Sequence, residues 1–175
     1  NLEPATPVPK TSSASRYAVI KPDSRVGDNV LIAQRAYIEN SVLGNGANAQ
    51  ENCFIINSWL QGNNVTAHGA KLIDAQFEDR VFVGFNSFVR GLPDHPLAIG
   101  RGTILMPHTI IDLDQPLSIP AGHLVWGHIA DQDDLQRHSI PLKDLENVCG
   151  GLTVGGMEFN GSGSRFVEVF RKRID

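Results

Sequence analysis

Leu43-Gly-Asn-Gly-Ala-Asn-Ala49-Gln-Glu-Asn-Cys-Phe-Ile55 and, five residues later, Leu60-Gln-Gly-Asn-Asn-Val-Thr66-Ala-His-Gly-Ala-Lys-Leu72 place an apolar or small residue at every sixth position. The pattern extends both ways: Val26, Ile32 and Ile38 precede these stretches, and Phe77, Val83 and Val89 follow them. Steps of six within each trio and five between trios make a period of 17 residues, held over four turns. A second column stands four residues after the first, as Val30, Ala36, Ala47, Cys53, Ala70, Val81 and Ser87. Asn64 interrupts that column, and Val65 is expected to turn inward in its place. Such spacing fits neither a helix nor an alternating strand. It fits a triangular solenoid in which each hexad supplies one short strand and one corner, and each turn passes its backbone hydrogen bonds to the next.

Outward from this block the repeat pauses at Arg90-Gly-Leu-Pro-Asp-His-Pro96 and resumes at Ile99, Leu105 and Ile111. It pauses again at Asp114-Gln-Pro116 and closes with Ile119-Pro-Ala-Gly-His-Leu-Val125. Gly27, Gly44, Gly84 and Gly100 follow inward residues, where a tight corner favours glycine. Residues 1–16, rich in Pro, Ser, Thr and Ala, read as an N-terminal arm, 17–128 as the solenoid, and 129–175 as a tail with short helices. In the tail, Asp131 to His138 has acids first and bases last, as a short helix prefers. Phe166, Phe170 and Ile174 at helical spacing predict a terminal helix packed on the solenoid or on a neighbouring subunit, and glycine-rich 150–163 an irregular loop.

The 175 residues suffice for one domain with a sizeable core, and 41% hydrophobic content is ordinary for a folded protein. A net charge of −4 argues against nucleic acid, and Arg171-Lys172-Arg173 reads as a solvated helix end. No apolar run reaches membrane-spanning length, and no leader is visible, although the chain opens on Asn and a removed one would not show. Two cysteines, Cys53 and Cys149, suit a reducing compartment, with Cys53 as a core residue, so a cytoplasmic location and no membrane partner are expected.

The rungs Ala49-Gln-Glu-Asn-Cys-Phe-Ile55, Asn63-Asn-Val-Thr-Ala-His-Gly-Ala70 and Arg80-Val-Phe-Val-Gly-Phe-Asn-Ser-Phe88 resemble those of the γ-class carbonic anhydrases, as does Ile119 to Val125. The resemblance covers roughly residues 20 to 128. It implies an all-β fold, a left-handed parallel β-helix of hexapeptide repeats, here with a short C-terminal α-helix. It also implies a homotrimer with zinc held between subunits by three histidines, which leave an open position for a water that ionises near neutral pH. Carried over on the repeat frame, the ligand positions fall on Ile56, His68 and Ile73, so one histidine of three is kept. The family's Arg and Asp of the preceding turn fall on Glu39 and Ser41, and its glutamine is kept as Gln50. Shifting the frame by one offers Asn57 and Asp74, which point to the opposite face of the strand.

Gln50 and His68 are therefore the candidate catalytic residues, and His68 alone the candidate metal ligand. No cofactor is assigned, zinc being expected only with ligands outside the family pattern. Ile56 and Ile73 are expected to form an apolar patch that replaces metal by subunit contact, each burial worth about 1.5–3 kcal/mol. The function expected from the resemblance is a carbonic-anhydrase-like trimer with a degenerate metal site, inactive toward carbon dioxide by the usual route and open to bicarbonate or another small molecule. Two alternatives stay open: an active carbonate dehydratase rebuilt around His68, and a hexapeptide acyltransferase using acyl-CoA, whose class employs histidine as general base. His95, in the proline-bracketed loop, is a secondary candidate for such a base. His108, His123, His128 and His138 lack partners at ligand spacing, Asp112 and Asp114 read as a corner pair, and Trp59 and Trp126 as packing anchors.

Overall fold

The computed structural model describes residues 6–146, 152–154, 157–159, 167–169 and 171–172. Strands of two or three residues stack in parallel, each over the residue one turn away: Lys71 pairs with Phe54 and Phe88, and Val65 with Asn48 and Phe82. Three sheets result. The first face has eight strands, from Ser13–Ala14 to Ser139–Pro141, the last of them antiparallel. The second has seven, from Val19–Ile20 to His128–Ile129, and the third six, from Arg25–Val26 to Ser118–Ile119. This is a left-handed parallel β-helix.

Inside, Ile38, Ile55, Leu72 and Ile111 stack on one face and Leu43, Leu60 and Ile99 on another, all essentially inaccessible. The corners explain the polar letters between the apolar ones. Asn29, Gly46, Asn63, Arg80, Gly102 and Gly122 share one corner column at positive φ, and Arg35, Asn52, Gly69, Asn86 and His108 share another. Asn and Gly enter the left-handed region at least cost, so they recur wherever the chain must turn. Ser41 and Ser58 sit buried at the third corner, where the Ser58 N–H donates to Ser41 Oγ at 3.0 Å and the Ala75 N–H to Ser58 Oγ at 3.2 Å. Gly44 lies where rungs approach closest: a Cβ there would stand 1.9 Å from the Gln61 carbonyl oxygen.

Four details differ from the sequence reading. Asn64, not Val65, faces inward: it is fully buried, accepts from the Gly62 N–H at 2.9 Å and donates to the Glu78 carbonyl at 2.7 Å. Its polarity is met by the corner itself, so the column needs no apolar substitute. Val65 points outward and is buried all the same, under a second cluster with Phe82, Ile104, Leu124, Trp126, Leu142, Leu145 and Val167. The first rung begins inside the segment assigned to an arm, since Ser13–Ala14 pairs with Leu31–Ile32. Hydroxyls hold that rung: Thr6 Oγ1 donates to the Lys21 carbonyl at 2.6 Å and Ser12 Oγ to the Gly27 carbonyl at 2.7 Å. Within the glycine-rich stretch, Leu152–Val154 and Met157–Phe159 pair as antiparallel strands.

In the tail, the helix Gln132–Arg137 forms as expected, with Asp131 accepting from the Asp134 N–H at 2.8 Å and Leu135 buried. Backbone donation from Ala130 and the Arg137 guanidinium hold the Asp134 carboxyl below its usual range. Residues 167–169 and 171–172 are helical and Val167 is buried on the first face; Phe166, Phe170 and Ile174 lie outside the described residues, as does Cys149. Among the described residues no helix is long and apolar enough to cross a membrane. Replacing Gly44 by Ala should lower the unfolding free energy by about 1–3 kcal/mol through overpacking against backbone, read from the midpoint of urea unfolding. An unchanged midpoint would mean that the rungs are not stacked as closely as described.

Candidate functional site

The corner between the first and second faces carries Gln34, Glu51, His68 and Phe85 one above another. Backbone bonds lock the column: the Asn52 N–H donates to Gln34 O at 3.2 Å, Gly69 to Glu51 O at 2.9 Å, Asn86 to His68 O at 2.9 Å. Because each rung repeats the last, the side chains at this corner are neighbours although 17 residues apart in sequence. His68 Nδ1 lies 2.7 Å from Glu51 Oε2, with the imidazole side chain 62% exposed. A carboxylate can only accept there, so the neutral ring carries its proton on Nδ1 and leaves the Nε2 lone pair for another partner. Phe85 continues the column above and meets His108 edge to face, with ring centroids 5.2 Å apart. The result is an exposed strip with an oriented base beside an aromatic pair.

Gln50, the other expected catalytic residue, stands half-buried next to Glu51, and its N–H donates to the Thr66 carbonyl at 2.9 Å. The partner that orients His68 is therefore Glu51, which the sequence reading passed over. The 17-residue period contained the signal, since Glu51 occupies the place of His68 one rung below.

Ile56 and Ile73 are register partners on the second face, both half-buried, in a column that runs Glu39, Ile56, Ile73, Arg90, Asp112. Its ends are polar. Glu39 accepts from the Tyr37 hydroxyl, which together with partial desolvation raises the phenol above its usual pKa. Arg90 meets Asp112 at 2.6 Å, so Asp112 is an ion-pair partner rather than half of a carboxylate dyad. His68 stands at the corner before the strand Lys71–Ile73, and the two isoleucines at or beside its far end, so the three positions do not converge within one chain. Isoleucine offers no lone pair, and among the described residues no group of three His, Cys, Asp or Glu is placed to hold a metal ion. The donors present do not fit a three-histidine zinc centre.

The remaining candidates have local partners. His95 closes the loop against Leu92, His123 Nδ1 meets the Ala121 carbonyl at 3.0 Å, and His138 Nδ1 meets the Asp134 carbonyl at 3.0 Å. Trp126 is buried with His138 against its ring, whereas Trp59 stands 56% exposed on the third face. Burial pushes the Cys53 thiol up to about 12, which removes it as a nucleophile.

Over 93% of its length the chain matches the crystal structure of a "putative acetyltransferase" from Desulfovibrio desulfuricans G20, with 56% sequence identity and a TM-score of 0.89. The chain is a hexapeptide-repeat β-helix protein. It spans about a third of its Desulfovibrio relative, 35% of that chain. This hexapeptide-repeat protein also matches WeeI from Acinetobacter baumannii AYE, at 22% identity over 65% of this chain and 54% of that one, with a TM-score of 0.47. A hexapeptide transferase family protein from Anaplasma phagocytophilum matches at 16% identity over 92% of each chain, with a TM-score of 0.43. No family model and no curated protein matches the chain.

The geometry predicts the Nδ1–H tautomer for neutral His68, visible in long-range proton–nitrogen correlation spectra. Glu51→Leu should shift the ring toward the Nε2–H form; a spectrum indifferent to that change would show that the pair does not persist in solution.

Proposed function

We propose that this chain is the solenoid of an acyltransferase in which His68 is the general base and an acyl thioester, acyl-CoA by class, is the donor. The observation that carries the reading is the contact of His68 Nδ1 with Glu51 at 2.7 Å, which leaves Nε2 toward solvent. The 56% identity to a protein described as an acetyltransferase supports the same reaction class. Nε2 takes a proton from the acceptor's amine or hydroxyl as its nitrogen or oxygen attacks the thioester carbonyl. The carbon–sulfur bond then breaks, and the imidazolium returns the proton to the departing thiolate. Glu51 acts through His68 as a positioning residue: it holds the tautomer and stabilises the imidazolium.

The carbonic-anhydrase reading, including a site rebuilt around His68, has less support because among the described residues Glu51 stands with that ring but no group of three His, Cys, Asp or Glu does. A homotrimer belongs to the proposal. Tyr37 stacks on Phe54 at 5.6 Å, Lys71 lies over the Phe54 ring at 5.7 Å, and Phe54 and Ile110 stay substantially exposed on the second face. A neighbouring copy would cover this ridge together with Ile56 and Ile73, beside His68.

With acetyl-CoA and a panel of small primary amines and alcohols, His68→Ala should lower acceptor-dependent release of CoA by about 10²–10⁴-fold. Binding of acetyl-CoA, followed by thermal shift, should survive. Glu51→Gln should lower kcat with little change in KM for the donor. Wild-type rates in His68→Ala, or no binding of acetyl-CoA by the wild type, would refute the reading.

A further inference from the structure

We infer that a hollow beside the Glu51–His68 pair is the subsite for the acyl acceptor, and that the acceptor is a small amine or alcohol carrying one carboxylate or phosphate group. The inference rests on the acyl-transfer reading and names its second substrate by class. The hollow, of about 420 Å³, lies over the early rungs of the first face, within the range of small-molecule sites. Leu31, 45% exposed, and Ala33 give it an apolar floor. Glu51 stands at one end, and Arg16 and Tyr17 at the other.

The corner column that carries His68 continues through Glu51 and Gln34 to Tyr17, because the Arg35 N–H donates to Tyr17 O at 3.2 Å as that of Asn52 does to Gln34 O. Tyr17 is 60% exposed, and the Arg16 guanidinium lies over its ring, 5.0 Å from the centroid. Among the described residues no carboxylate pairs with Arg16, and the Ser13 hydroxyl and Gln34 amide, also in the lining, have no hydrogen-bond partner. Glu51 is turned to His68. With rungs about 4.8 Å apart, the Arg16 end lies roughly 10–14 Å from His68 along the corner. A guanidinium at one end, with a carboxylate and an imidazole at the other, complements a molecule that has an anion at one end and an amine or hydroxyl at the other. One guanidinium matches one anionic group. The several phosphates of acyl-CoA would outnumber it, so the hollow suits the acceptor and not the donor. An amine held there as its ammonium gives one proton to water before its nitrogen attacks the thioester, and the transfer then runs as described above.

The test compares 8-aminooctanoate with its neutral amide, 8-aminooctanamide, as acceptors of the acetyl group of acetyl-CoA. Calorimetry follows the binding of both compounds without donor. The proteins are wild type, Arg16→Gln and, as a control that removes a cation from the third face, Arg25→Gln. Wild type should bind the carboxylate about tenfold more tightly than the amide and show the same preference in kcat/KM. Arg16→Gln should bring that ratio close to one, and Arg25→Gln should keep it. A wild-type ratio near one, or a ratio kept in Arg16→Gln, would overturn the subsite while transfer to the amide left the acyltransferase reading intact. A raised KM for acetyl-CoA in Arg16→Gln, with the acceptor ratio unaltered, would assign the anion to the donor and overturn the inference. Absence of turnover across the whole panel of amines and alcohols, with the carboxylate still preferred in binding, would refute acyl transfer and uphold the anion site alone.

Discussion

Everything in this molecule depends on the backbone hydrogen bond from one rung to the next. Strands of two or three residues cannot persist alone, and here each is held only because its partners lie one turn above and below it. Stacked parallel strands demand that every turn close on the same outline, and that demand falls on the corners. The chain meets it by entering the left-handed region at fixed places in each rung, with Asn52, Gly69 and Asn86 as successive solutions to one corner. Hydrophobic burial fills the triangle, but the corners decide its shape. Burying Leu43 or Leu72 would reward many folds; only a regular outline lets each lie over its counterpart in the next rung.

Stacking also converts sequence distance into contact. Side chains one period apart share a column, and each column acquires a chemistry of its own: serine hydroxyls at one corner, Tyr37, Phe54 and Lys71 along one face, Glu51 and His68 at another corner. A functional pair in such a fold needs no sequence motif. It needs two suitable residues at the same point of successive rungs, on a scaffold that fixes their separation through main-chain bonds instead of side-chain packing. The ion pair of Arg90 with Asp112 shows the same device surviving a lengthened loop, because the pairing resumes in register after it.

What the sequence displayed was the period, and with it the inward columns. Columns that point outward were harder to read. Val65, Phe82, Ile104 and Leu124 recur at one point of the rung as faithfully as the core does, yet they look like the ordinary scatter of apolar residues in strands until a cover is known. That cover comes from Trp126, Leu142, Leu145 and Val167, beyond the repeat, where no periodicity announces it. Asn64 misled for the opposite reason: a polar residue is at home in the core when the corner beside it supplies both hydrogen bonds. The rung at Ser13–Ala14 was hidden because hydroxyls help tie it to the next and its inward residue is only the small Ala14. Glu51 was legible throughout. The resemblance drew attention to inherited ligand positions, and the partner of His68 sits at none of them.

The covered first face also constrains how copies could assemble. From Val65 to Leu124 its outer surface is spent on the chain's own tail, with Ile104, Leu124 and Leu145 nearly inaccessible before any partner arrives, whereas Leu31 on an earlier rung of the same face stays exposed. The second face keeps Phe54 and Ile110 in solvent, and the third keeps Trp59. A closed ring requires two different patches on each copy, one meeting the other. Two open faces beside one covered over its later rungs suit a prism that packs about a threefold axis through unlike contacts. His68 stands at the corner between the first face and the open second one. In the proposed trimer it would lie at the rim of the subunit contact, where a long thin donor can reach the base from outside and the neighbouring copy can wall the other side.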